Sequence, residues 1–331
     1  MASGPLPFGF RDAQRYYAFS RFLKERFGGK VRRIAVDGGF TCPNVDGTVT
    51  TGGCVYCDNR SFSPSRRAPR LGIRGQLERG IRIVQPRFGA DRFLAYFQAA
   101  TNTHAPLDKL KRLYDEALDH PQIVGLAIGT RPDSVPDEVL DLIAGYARER
   151  YVCLELGLQS IHDRSLDWMN RGHHYDVFLD AVARCAGRGF DVCAHVILGL
   201  PGESPADMLA TADALAGLPL QAVKIHNLHV VRDTPLEAMV EHGEVHILER
   251  DEYVAILCDF LERLPGGMVI QRLQGDAPPD YLVAPQWCLD KPGLLRAVDD
   301  EMRRRDSWQG KYCQPTVASS TPVRRALPVV T

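Results

Sequence analysis

Cys42, Cys54 and Cys57 share one stretch, GGFTCPNVDGTVTTGGCVYCDNRSFSP over residues 38–64, with eleven residues between the first two and two between the last pair. Thiolates in such a pattern ligate metal. A structural zinc site closes with four ligands, commonly two C-x2-C pairs, and this loop holds one pair and a single further cysteine. A zinc ion would need a borrowed fourth ligand. Cys153, Cys185 and Cys193 stand in or beside predicted core elements, where cysteine behaves as a small hydrophobe. Three unligated loop thiols would be open to oxidation. The third reading is a [4Fe–4S] cluster on three cysteines, which leaves one iron for a small molecule.

The elements that must position this loop alternate. Runs of aliphatic and β-branched residues read as strands at VRRIAV (31–36), RFLAYFQ (92–98), IVGLAIGT (123–130), YVCLELGLQ (151–159), DVCAHVILGL (191–200) and QAVKIHNLHVV (221–231). Between them, Ile73, Leu77, Ile81 and Val84, then Leu107, Leu110, Tyr114 and Ala117, then Val139, Ile143 and Tyr146 recur at helical spacing. Pro106, Pro136 and Pro205 stand near helix starts, where a missing N–H is harmless. This alternation predicts successive βα units and a parallel sheet. Past the sixth strand, 233–265 reads as two helices, the second anchored by Tyr253, Ile256, Leu257, Phe260 and Leu264. One more strand is expected at 268–274. Loops at the C-terminal ends of parallel strands carry the chemistry. There the sequence places the cysteine loop, Gln98 and Thr101, GTRPD (129–133), Gln159 and Ser160, and GLPGE (199–203).

The net charge of −1 conceals an asymmetry: residues 1–100 hold 17 Lys and Arg against 7 Asp and Glu. Clusters at 11–33 and 60–92 suit either a phosphate-rich partner or a solvated helix face. The N-terminus lacks a signal-type apolar run, and no stretch approaches the roughly 20 apolar residues of a membrane span. A cytoplasmic protein off the membrane is expected, with its nine cysteines reduced.

The loop, the βα units and the stretches YFQAATNT, VGLAIGTRPD, LELGLQS, MNRGHH, HVILGLPGE, VKIHNLHVV and LVAPQWC together resemble the radical S-adenosylmethionine superfamily. Within it they resemble the YhcC-like family, which is similar in its core to the catalytic subunit of Elongator. The resemblance covers roughly residues 8–313. Most superfamily members use C-x3-C-x2-C. The longer gap here is a family trait, and Gly47, Gly52 and Gly53 give the backbone freedom to fold the excess away.

The resemblance implies a partial (β/α)6 TIM-like barrel at 31–240, preceded by a basic helical segment at 1–30. It is followed by a small α/β extension at 241–313 and a loose tail at 314–331. It implies a [4Fe–4S] cluster on Cys42, Cys54 and Cys57 and reductive cleavage of S-adenosylmethionine to a 5′-deoxyadenosyl radical. A low-potential donor such as flavodoxin or ferredoxin would reduce the cluster. Gln98 would meet the methionyl amine, Glu155 and Gln159 the ribose side, and Arg171 the methionyl carboxylate. The turn from Gly199 to Glu203 would approach the adenine, completed by His226 and Leu228.

Glu155 and Arg171 also suit structural roles, as a buried ion-pair partner and a helix C-terminal cation. His195, His226 and His229 suit hydrogen-bonded strand positions. Cys288 suits either a packing thiol beside Trp287 or a flap residue. Elongator-like relatives imply a transfer RNA (tRNA) wobble uridine as the target. A small metabolite and a non-catalytic iron–sulfur redox protein are the alternatives. RLQGDA (272–277) fits R-x-x-G-x-A, the pyrophosphate loop of acetyl-CoA enzymes. Pro278 and Pro279 deny it the helix such a loop needs, so acetyl transfer is not expected.

Overall fold

The computed structural model describes residue 10 and residues 14–67 and 71–313. The expected tail at 314–331, much of the segment before Gln14, and the basic residues Arg11 and Arg70 lie outside the described residues. Strands β1 (Val31–Val36), β2 (Arg92–Phe97), β3 (Ile123–Thr130), β4 (Tyr151–Gln159), β5 (Asp191–Leu198) and β6 (Ala222–Asn227) pair parallel in chain order. After the two-residue β7 (Val230–Val231), the chain returns as β8 (Val269–Arg272), which pairs parallel with β6 and makes a seventh strand of the main sheet. The sheet curls into a partial barrel with β1 and β8 as its end strands, and Ala18 bridges Ile270 of β8, whose N–H donates to Tyr17 O at 2.8 Å.

Two stretches differ from their sequence reading. The run 221–231 breaks after Asn227, and β7 pairs antiparallel with β9 (Leu282–Ala284) in a separate ribbon. Asn227 causes the break: its buried amide donates to Leu228 O at 3.1 Å and approaches Cys288 Sγ at 3.2 Å, and its Oδ1 accepts from Gly275 N at 3.0 Å. The second is an unanticipated helix, Lys291–Arg304, which buries Leu294, Val298 and Met302 at four-residue spacing. Both helices expected at 233–265 form, as Pro235–Glu241 and Arg250–Arg263.

Helices cover the sheet's outer face. Helix Leu107–Leu118 buries Leu110, Leu113, Tyr114 and Ala117, and helix Asp137–Ala147 buries Val139, Leu140, Ile143 and Ala147. These meet Val152, Leu154, Leu156 and Leu158, the outward set of β4, in the main apolar core.

The inward set forms layers. At the bottom, Tyr151, Cys153, Cys193, Ala222 and Val269 pack on Phe22 and Leu23 of helix Phe19–Phe27, which plugs the barrel. Phe22 and Phe27 lie 5.8 and 5.9 Å from the Tyr151 ring. The middle layer is charged, and the top opens as the mouth.

Candidate active site at the barrel mouth

The eleven-residue gap is folded by two side chains. The Asp46 carboxylate accepts from Thr41 Oγ1, from Thr48 Oγ1 at 2.6 Å and from Thr48 N at 3.1 Å, and it faces His104 Nε2 at 3.0 Å. The Thr41 and Thr48 bonds lead in pulling its pKa well below the carboxylate range. Buried Asn44 donates to Asn170 O at 2.6 Å and Arg171 O at 2.9 Å, and reaches Cys54 Sγ at 3.6 Å. Asn170 answers by donating to Gly53 O at 2.8 Å and Thr51 O at 3.1 Å. A Cβ on Gly172, whose φ is +73°, would lie 2.6 Å from Asn44 Oδ1, so only glycine lets the loop seat here.

This folding brings the three thiols within electrostatic reach of one another. Cys57 N donates to Cys54 O at 3.0 Å, closing the C-x2-C turn. Desolvation of its sulfur raises the Cys57 pKa, and the neighbouring Cys54 and Cys42 thiols push the same way. Among the described residues, no three His, Cys, Asp or Glu side chains converge on a single-ion site. All nine cysteines are free thiols, and Cys153, Cys185 and Cys193 are buried.

Arg171 ties the loop to β4. It is 6% exposed, with Nη2 donating to Gly157 O at 2.7 Å and Nη1 to Cys54 Sγ at 3.7 Å. Burial opposes its charge, but Cys54 and Tyr56 outweigh that and raise its pKa. A Cβ on Gly157 would stand 2.6 Å from Arg171 Nη2, which explains the glycine of E-x-G-x-Q. Beside it, Arg131 grips Asp133 with two bonds of 2.9 and 2.6 Å. Burial, then Arg171 and Arg131, hold the His173 pKa down at about 3, so its ring is neutral. Arg131 Nη1, Arg171 Nε and His173 Nε2 are buried without a hydrogen-bond partner among the described residues. Two such guanidinium donors fit a carboxylate next to the thiols.

The other expected contacts reach the mouth from separate strands. Gln98, just past β2, donates to Phe62 O at 2.8 Å. Gln159 ends β4 at a register shift with φ +78°. Ser160 Oγ donates to Glu203 Oε1 at 2.5 Å, joining the ends of β4 and β5. Gly199, at φ +87°, opens the turn before helix Pro205–Ala216, whose start is set by the Ser204 and Asp207 capping box.

Glu155 lies one layer below. It is 0% exposed and its carboxylate meets Arg33 at 2.9 Å, Lys224 at 2.9 Å and His195 at 2.8 Å. Burial opposes its ionisation, but Arg33, Lys224 and His195 hold its pKa well below the carboxylate range. Burial lowers Lys224 to about 8 against the pull of Glu155, and lowers His195 to about 4. Lys224 also donates to Tyr96 Oη at 2.6 Å, and the His195 and His226 rings stack at 5.7 Å. Glu155 is thus a buried ion-pair partner, while Arg171 is held in the mouth rather than left at a helix terminus.

Sequence reasoning passed over Asn44, Asp46, Arg131, Asp133 and His173 as individual site residues. GTRPD and MNRGHH contain three of them. No spacing rule connects an Asn in one loop with an arginine 127 positions later.

Comparison with known proteins gives the family and the fold. The Radical SAM superfamily model matches residues 47–215, and the Radical_SAM C-terminal domain model matches 220–304. Protein YhcC of Escherichia coli is 38% identical over 82% of this chain and 86% of its own length. A tRNA uridine(34) acetyltransferase of Methanocaldococcus jannaschii is 26% identical over 51% of this chain, but over 31% of its own length. The structure of Methanocaldococcus infernus Elp3 with an N-terminal deletion superposes with a TM-score of 0.62 at 20% identity, covering 84% of this chain and 64% of that one. That likeness shows the fold.

Proposed function

Because the chain belongs to the radical S-adenosylmethionine superfamily, and within it to the YhcC-like family, we propose that it is an enzyme holding a [4Fe–4S] cluster on Cys42, Cys54 and Cys57. S-adenosylmethionine would bind beside the cluster. A cluster so held supplies the electron that cleaves S-adenosylmethionine to a 5′-deoxyadenosyl radical. The observation that carries this reading is Arg171, buried at the mouth and bonded to both Cys54 Sγ and the Gly157 carbonyl. Its charge, with that of Arg131, suits the cofactor carboxylate. Gln98 takes the amine, Gln159 the ribose side, and the Gly199 to Glu203 turn the adenine. Glu155, expected on the ribose side, is closed off by Arg33, Lys224 and His195 and acts as a positioning residue in the layer beneath.

The substrate we infer is a tRNA wobble uridine. Support comes from the partial match to a tRNA uridine(34) acetyltransferase and from the basic first hundred residues. A flavodoxin or ferredoxin would donate the electron. The chemical test is anaerobic reconstitution followed by assay for 5′-deoxyadenosine, with Cys54→Ala as the inactive control. The substrate test compares wobble-uridine nucleosides by mass spectrometry in tRNA from a deletion strain and its parent. A precursor that accumulates, and is cleared by wild type but not by Cys54→Ala, supports tRNA modification. An unchanged profile with intact cofactor cleavage redirects the search to a small metabolite. A reduced cluster without cofactor cleavage favours a redox protein.

A further inference from the structure

At the mouth, a cleft of about 360 Å³ lies between the segment after the cysteine loop and the segment that follows β8. One wall comes from the segment after the cysteine loop and from the end of β2, with Phe62, Arg67 and Gln98. The other comes from β8 onward, with Arg272, Asp276 and Lys291. Three cations and one carboxylate therefore line the cleft. Asp276 is shared, 3.3 Å from Arg272 and 3.9 Å from Lys291, and is too distant from Lys291 for a hydrogen bond. Arg67 has no carboxylate partner among the described residues, and its guanidinium lies over the Tyr281 ring at 5.6 Å. Partial burial, then Arg272, lowers the Lys291 pKa against the opposing pull of Asp276.

We propose that this cleft is the substrate's phosphoryl subsite, with Arg67, Arg272 and Lys291 binding a nucleotide phosphate while its base reaches the mouth past Phe62. The inference rests on the reading of the protein as a radical enzyme acting on a nucleoside. The three cations and Asp276 leave a surplus of two positive charges. A terminal phosphate, with about −1.5 to −2 charges at neutral pH, matches that surplus, and so do two successive phosphodiesters. A carboxylate would leave half of it unanswered. The volume falls within the range of about 300–1,000 Å³ for small-ligand sites. Location adds the second support: Gln98 bonds the Phe62 carbonyl at 2.8 Å, so the wall of the cleft is also the wall of the cofactor's place. Phe62 is 39% exposed and offers its face to a base.

The test is equilibrium binding to the full-length reconstituted protein, using uridine, uridine 5′-monophosphate and a short RNA hairpin with an unpaired uridine. Wild type should bind the monophosphate or the hairpin roughly 10-fold more tightly than uridine. Arg272→Gln and Lys291→Gln should each remove most of that preference and leave uridine binding unchanged. Arg79→Gln, on the exposed face of helix Ile73–Phe88, should leave the mononucleotide preference intact. Tight binding of the hairpin alone identifies RNA as the phosphate's source, and of the mononucleotide alone a free nucleotide. Equal binding of uridine and both phosphorylated probes, or a preference that survives both substitutions, overturns the subsite. Loss of cofactor cleavage in wild type would instead overturn the functional reading, and the binding comparison does not depend on it.

Discussion

Gly157 governs how closely the Arg171 guanidinium approaches β4. A methyl group there would lie 2.6 Å from Nη2, so Gly157→Ala should displace the arginine and weaken S-adenosylmethionine binding by roughly 10-fold or more, the worth of one charge-assisted bond. Iron content should persist, since no cysteine is substituted, and unchanged affinity would show that Arg171 does not hold the cofactor. Glu155→Gln leaves Arg33 and Lys224 buried without their anion and should cost about 3–5 kcal/mol in urea denaturation. The same layer makes the fold acid-sensitive. Glu155 has a depressed folded pKa, so its contribution is present above its ordinary 4.5 and fades as pH falls through the lower folded value. His195 is lowered from 6.5 to about 4, so the unfolded chain binds the extra proton between those values and stability rises with pH across them. The urea midpoint should therefore fall on acidification from pH 6.5 to 4. His195→Gln should flatten that slope, and an unaltered slope would refute the assignment.

Turns at the strand ends carry much of the site's geometry. Gly199 combines φ +87° with a Cβ position 2.8 Å from Leu248 Cδ1. Gly199→Ala should lose about 1–2 kcal/mol to the left-handed backbone and a further 1–3 kcal/mol to the clash. Adding Leu248→Ala should relieve the overpacking portion alone, so thermal melting of the pair separates strain from crowding. Identical melting of the single and double variants would show that Leu248 is not the obstacle. The cysteine loop shows the same dependence on short-range devices, with Asp46 collecting Thr41 and Thr48 while Asn44 and Asn170 lace the loop to the stretch after β4.

Across the whole molecule, positive charge gathers beside the β1 edge. Helix Ile73–Phe88 exposes Arg79, Arg82 and Arg87, and Lys30 donates to Phe88 O at 3.2 Å with the Arg32 guanidinium over that ring at 4.7 Å. If this surface carries RNA phosphates, log affinity for tRNA should fall linearly with log salt. Arg79→Gln, Arg82→Gln and Arg87→Gln together should then reduce the slope by about two to three. An unchanged slope would move the docking face elsewhere. No helix among the described residues is long and apolar enough to cross a membrane.

Apolar runs were enough to find all seven strands of the parallel sheet, because period-two and period-3.6 patterns record local burial. The placement of Gln98, Gln159 and the Gly199 to Glu203 turn at the strand ends was legible too, since each follows directly on a strand whose apolar run marks its end. The separation of β7 from β6 and the helix at Lys291–Arg304 were not, because Asn227 breaks its strand through Cys288 and Gly275, far along the chain. Nor could spacing show that Glu155 would be walled in by Arg33, Lys224 and His195. The strand pattern gives the face a side chain takes, whereas its depth in the barrel depends on how the neighbouring strands are staggered. The sequence by itself determined the fold class and the family. Only the tertiary structure decided which charges are paired below the mouth and which stand open within it, because a charge's partners are set by distances between strands that no interval along the chain encodes.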